Sequence, residues 1–160
     1  MTTGQSRGRS TMIKASLRTL AGTVIGLFLA FVLIVGVEGF SAVLHPLPKD
    51  FGGTMEEMCR HVERSPTWVL AAAVPMWGAA AFAGAWTARR IGNLWSFAIV
   101  GLLVLAGLLF NISKLPYPMW FKVACLLVIP GAIVLGGRLA SRRQAAALPS
   151  RKPDGAPREI

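Results

Sequence analysis

The chain has 160 residues, of which 54% are hydrophobic, and its mean hydropathy of +0.56 is too high for an ordinary soluble domain. Its 17 Lys and Arg residues against seven acids give a formal net charge of +10. The basic residues cluster beside uncharged runs, which indicates a membrane-topology signal and argues against a nucleic-acid partner.

Four uncharged segments predict membrane-spanning helices: 20–37, 68–88, 94–111 and 123–137. With its flanks, each approaches the roughly 20 residues that a helix needs to cross a hydrocarbon core, and none alternates like a membrane β-strand. We therefore expect an all-α, polytopic integral membrane protein built as a four-transmembrane-helix bundle. The predicted spans are 19–44, 67–88, 93–112 and 119–139.

Small and aromatic residues within these segments predict how the helices pack. Ala80 and Gly84 have the small-xxx-small spacing of close helix contacts, either inside the bundle or between two copies of the chain. Tryptophans mark the ends of the spans, as expected at a membrane interface. Trp77 lies at mid-span instead, and we interpret it as a packing residue.

The distribution of Lys and Arg predicts the topology. Twelve lie before the first span, between the second and third, or after the fourth, and five lie on the other side. The positive-inside rule then places both termini in the cytoplasm. Residues 1–14 and 144–160 are predicted as basic, disordered cytoplasmic tails around a membrane domain at 15–143. The plan of spans resembles, in outline, small four-span proteins of bacterial inner membranes, which implies that location and no function.

The first outer loop contains the pattern of a short helix at 54–64. Thr54 followed by Glu57 forms a capping-box pattern, and Ser65-Pro66 supplies a stop. Between them, apolar residues recur at helical spacing: Met55, Met58, Cys59 and Val62. We expect an amphipathic helix that lies on the outer surface or covers the bundle as a lid.

Glu38 interrupts the end of the first apolar run. It lies about 27 Å along a helix from the start of that run, close to the outer boundary of a core about 30 Å thick. If the helix continues, Glu38 shares one face with Ser41 and His45. With Asn111 from the end of the third span, these residues are candidates for an ion, proton or structural polar site. In the structural alternative Glu38 either hydrogen-bonds to a neighbouring helix and fixes its register, or pairs with a basic residue of the outer side: Lys114, Lys122, Arg60 or Arg64.

A metal centre is the next candidate, from His45, Cys59 and His61. Cys59-Arg60-His61 lacks the spacing of a standard zinc site, and two histidines are too few for a dihaem bundle. The sequence has no C-x-x-C, P-loop, G-x-S-x-G or H-E-x-x-H motif. We therefore expect no cofactor.

The scarcity of polar residues within the spans favours a non-enzymatic accessory, assembly or scaffold subunit. Its expected partners are the lipid bilayer and either another membrane protein or further copies of itself. The first alternative is a small transporter or channel that uses Glu38 and His45. The second alternative is a membrane enzyme acting at the outer interface.

Overall fold

The computed structural model describes the backbone of residues 3–146 and the side chains of residues 12–142. Within this range the chain is helical, without strands, which confirms the all-α prediction. Its helices are α1 (Thr3–Leu44), α2 (Met55–Glu63), α3 (Thr67–Ile91), α4 (Leu94–Lys114) and α5 (Met119–Ala146). The four longer helices each contain a segment long and apolar enough to cross a membrane, and α2 is the predicted short amphipathic helix.

Helix α1 begins earlier than the predicted first span. It includes residues 3–14, which we expected to form a disordered tail. This segment contains no proline, and a helix that is already nucleated gains one backbone hydrogen bond for each residue added. Of the other predicted tail, residues 144–146 belong to α5, and residues 147–160 lie outside the described part of the chain.

Small residues bring α1 and α3 into direct backbone contact. A Cβ atom on Gly26 would lie 2.7 Å from Cβ of Ala88, and one on Gly84 would lie 2.7 Å from Cβ of Ala30. Carbon atoms in contact are ordinarily about 3.5–4.0 Å apart, so a larger residue at either glycine would force the helices to separate. Of the two predicted uses of Gly84, the structure therefore shows the contact inside the bundle, between α3 and α1. Helix α3 also packs against α4 and α5 and forms the centre of the bundle.

Hydrogen bonds close the end of the bundle that lies opposite α2. Asn93 Nδ2 donates to Thr19 Oγ1 at 2.7 Å, and Ser96 Oγ donates to the backbone oxygen of Thr19 at 3.0 Å. Asn93 Oδ1 also accepts from the backbone nitrogen of Ser96 and so caps α4. Arg18 Nε donates to the backbone oxygen of Ile91 at 3.0 Å. These contacts tie α1 to the turn between α3 and α4.

Candidate functional site

Helix α2 is fixed at its start by the predicted capping box. The Thr54 hydroxyl accepts from the backbone nitrogen of Glu57 at 3.3 Å, and Glu57 Oε2 accepts from the backbone nitrogens of Thr54 at 3.1 Å and Gly52 at 3.0 Å. The hydrogen bond from the Thr54 backbone is the main reason that the pKa of Glu57 lies below its ordinary value. Gly53 has a φ of 81°, a conformation that favours glycine, and it turns the chain into α2.

The apolar face of α2 is turned toward the bundle. Val62 is buried, with 7% of its surface exposed. Met55 and Met58 line the space between α2 and the long helices. The Cys59 thiol donates to the backbone oxygen of Lys114 at 3.8 Å, which connects α2 to the end of α4. Helix α2 therefore covers this end of the bundle as a lid.

Beneath α2 lies a cavity of about 470 Å³, which we call the lid cavity. Glu38 and Ser41 line it from the last two turns of α1, His45 lines it from the position directly after α1, and Asn111 lines it from the last turn of α4. The structure thus brings all four candidate polar residues to one place. Their function remains a prediction.

Three buried polar atoms at the lid cavity have no hydrogen-bond partner among the described residues: His45 Nε2, Trp77 Nε1 and Asn111 Oδ1. The Trp77 indole lies beside the Glu38 carboxylate without reaching hydrogen-bond geometry. A buried polar group without a partner destabilises a fold by about 1–3 kcal/mol, and most such groups in proteins are paired. These three atoms are themselves out of reach of a water-sized group, whereas Glu38, which lines the same cavity, is exposed. A group that enters the cavity therefore meets the Glu38 carboxylate.

The Glu38 carboxylate forms no ion pair with any described residue. Lys114, one of its predicted partners, lines the same cavity, but its Nζ atom lies over the Phe110 ring at 5.9 Å from the centroid. The ion pair of the structural alternative is therefore not present in this arrangement. The described residue beside its carboxylate is Trp77 of the neighbouring helix α3, which keeps the helix-to-helix form of the structural alternative open.

The two histidines form a stacked pair between α1 and α2. The ring centroids of His45 and His61 are 4.3 Å apart, and the ring planes differ by 18°. Burial, followed by the proximity of His45, lowers the pKa of His61 and favours its neutral form. Within the described range, no three His, Cys, Asp or Glu residues are grouped so that they could hold a metal ion. The proposed metal ligands His45, Cys59 and His61 are thus not assembled into a centre.

An aromatic wall completes the lid cavity, and it was missed in the sequence. The centroid of the Trp77 ring lies 6.5 Å from that of Tyr117 and 5.7 Å from that of Phe121. Burial raises the pKa of Tyr117 well above its ordinary value, so the phenol stays neutral. The available signal was the position of Trp77 at mid-span, away from the interface positions of the other tryptophans.

The lid cavity thus gathers a carboxylate, an amide, an indole and two imidazoles within one set of aromatic walls. No protein-family model matches this chain, and no curated protein or solved structure matches it either.

Proposed function

We propose that this chain is a multi-pass protein of a bacterial inner membrane, with both termini in the cytoplasm and α2 on the outer face. The four apolar helices support the membrane location. Arg89 and Arg90 at the end of α3, and Arg138 and Arg142 near the end of α5, lie at the end of the bundle opposite α2. This asymmetry supports the orientation, since cytoplasmic segments are enriched in basic residues.

Within that membrane we propose a non-enzymatic accessory or assembly subunit that binds its partner or ligand at the lid cavity. The observation that supports this proposal is a cavity with polar groups at the lid end of the bundle, above a region where α1 and α3 pack closely. Toward the cytoplasmic end, α1 and α3 touch at Gly26 and Ala88, which leaves no space for a polar passage between these helices. The lid cavity therefore does not continue between α1 and α3 to the other end of the bundle.

The proposal is tested by purifying the tagged protein in native nanodiscs and measuring which proteins accompany it. We expect a second membrane protein at a fixed ratio. Trp77→Phe keeps the aromatic wall and removes the unpartnered N–H, and we expect it to retain less of that protein. Trp95→Phe is the matched control, because Trp95 is 72% exposed and distant from the cavity. A wild-type chain that purifies alone would refute the accessory proposal.

A small transporter is the second candidate, because Glu38, His45 and Asn111 share one cavity. It predicts proton or monovalent-cation flux into liposomes that contain the purified chain. Flux should be lost in Glu38→Gln and retained in Glu56→Gln, since Glu56 lies on the exposed face of α2. Such a result would replace the accessory proposal.

A further inference from the structure

A second cavity, of about 370 Å³, extends from the lid cavity toward the middle of the membrane between α1 and α4. The two cavities share Glu38, Trp77 and Asn111. We call the second one the α1–α4 groove. Apart from the shared residues, its lining is apolar: Leu27, Ala30, Phe31, Ile34, Leu103, Val104, Gly107, Leu108 and Ile129.

The groove has the dimensions of one membrane leaflet. Leu27 and Glu38 are eleven positions apart on α1, which corresponds to about 16 Å along the helix axis. Half of a hydrocarbon core about 30 Å thick is about 15 Å. Phe31 and Leu103 at the groove are 65% and 49% exposed, so the groove opens sideways toward lipid. An extended acyl chain of the outer leaflet therefore fits its length, its direction and its apolar lining.

The polar end of the groove matches an amine. A primary ammonium group donates three hydrogen bonds, and the exposed Glu38 carboxylate at this end of the groove can accept from it. The Trp77 ring at the same place can also contact a cation through its face. Lys114 lines the lid cavity as well, and it supplies the positive charge that a phosphate next to that amine would need.

We propose that the lid cavity and the α1–α4 groove form one lipid site. An amine-bearing phospholipid places its head beside Glu38 beneath α2, and one of its acyl chains lies along the groove. This inference rests on the proposed function of the lid cavity as a binding site and names the class of its ligand.

The test is native mass spectrometry of the protein released from nanodiscs that contain equal amounts of phosphatidylethanolamine, phosphatidylcholine and phosphatidylglycerol. We expect the wild-type chain to retain phosphatidylethanolamine in preference to the other two lipids. In Glu38→Gln, which preserves the size of the side chain and removes its charge, this preference should fall about tenfold, as expected for the loss of one charge-assisted hydrogen bond. Equal retention of the three lipids by the wild-type chain, or an unchanged preference in Glu38→Gln, would overturn the proposal.

A second pair of variants tests the groove itself. No atom lies within 4 Å of a Cβ built on Gly107, which lines the groove, so the side chain in Gly107→Leu begins in open space and extends into the groove. Gly36→Leu is the matched control, because Gly36 is equally open and does not line the groove. We expect lipid retention to be lost in Gly107→Leu only. Equal retention in the two variants, or a lipid-free homodimer that assigns the groove to a second copy of the chain, would overturn the inference.

The two proposals fail separately in these experiments. If a second protein accompanies the chain while the three lipids are retained equally, the lipid inference fails and the accessory function stands. If phosphatidylethanolamine is retained by a chain that purifies without a protein partner, the accessory function fails and the lipid site stands.

Discussion

Replacing Gly26 by alanine tests the contact that closes the bundle below the lid cavity. The new methyl group would lie 2.7 Å from Cβ of Ala88 and 2.8 Å from the backbone oxygen of Gly84. Since carbon contacts are ordinarily about 3.5–4.0 Å, α1 and α3 must move apart by about 1 Å to accept it. That separation would loosen the other small-residue contacts of the same helix pair.

The expected magnitude follows from comparison with Gly36→Ala on the same helix. Alanine favours the helix over glycine by about 1 kcal/mol, and this gain applies to both variants. At Gly36 no atom lies within 4 Å of the added Cβ, so no packing cost opposes the gain. At Gly26 overpacking costs about 1–3 kcal/mol. The free energy of unfolding should therefore be about 1–3 kcal/mol lower for Gly26→Ala than for Gly36→Ala.

The measurement is reversible unfolding in mixed micelles with an increasing fraction of sodium dodecyl sulfate, followed by circular dichroism. Gly84→Ala provides an independent check from the opposite helix, because its Cβ would meet that of Ala30 at 2.7 Å, and it should behave like Gly26→Ala. Equal unfolding free energies for Gly26→Ala and Gly36→Ala would refute the close contact of α1 with α3. Space for a polar passage between α1 and α3 would then exist below the lid cavity.

Three further changes address the lid and the opposite end of the bundle. Thr54→Ala removes the cap of α2 and should weaken this helix by about 0.5–2 kcal/mol, seen as faster hydrogen exchange across Met55–Glu63, whereas Thr54→Ser should not. Because the folded-state pKa of His61 is lowered from 6.5, its contribution to lid docking is complete above pH 6.5 and is lost as the pH falls through the folded-state value. Exchange across α2, corrected for intrinsic rates, should thus accelerate between pH 7 and about pH 5; the same acceleration in His61→Phe would contradict this cause. Asn93→Ala removes both the α4 cap and the hydrogen bond to Thr19, and it should lower the free energy of unfolding by about 1–3 kcal/mol, while unchanged stability would show that this network does not hold α1 in place.

The fold was predictable because its main determinant is local. An uncharged run of sufficient length has few alternatives to a helix in a membrane, where each backbone polar group needs a partner within the segment. The third span, predicted at 93–112, is close to the observed Leu94–Lys114. The lid was predictable for a similar reason, since the capping pair Thr54 and Glu57 and the apolar stripe behind it lie within one short segment.

The assembly of the site was less predictable, because it depends on how whole helices face each other. In a span that is apolar all round, the residues that face lipid and those that face the interior have similar chemistry, so the sequence pattern does not define the inner face. Trp77 could not be assigned to the cavity without knowing the rotation of α3 relative to α1. The stacking of His45 on His61 likewise depends on the path of residues 46–54, which contains no periodic pattern.

The lid end of the bundle joins a polar cavity to an apolar groove, and this combination favours a ligand other than water. At the end opposite α2, Asn93 and Ser96 form hydrogen bonds to α1, although the buried Thr23 hydroxyl has no partner among the described residues. At the lid end, Asn111 and Trp77 have buried atoms without a partner among the described residues, at a cost of about 1–3 kcal/mol for each unpaired group. Water can solvate the exposed Glu38 carboxylate, but it would gain nothing from the apolar groove that begins beside it. A ligand with a polar head and an apolar chain accounts for both features at once.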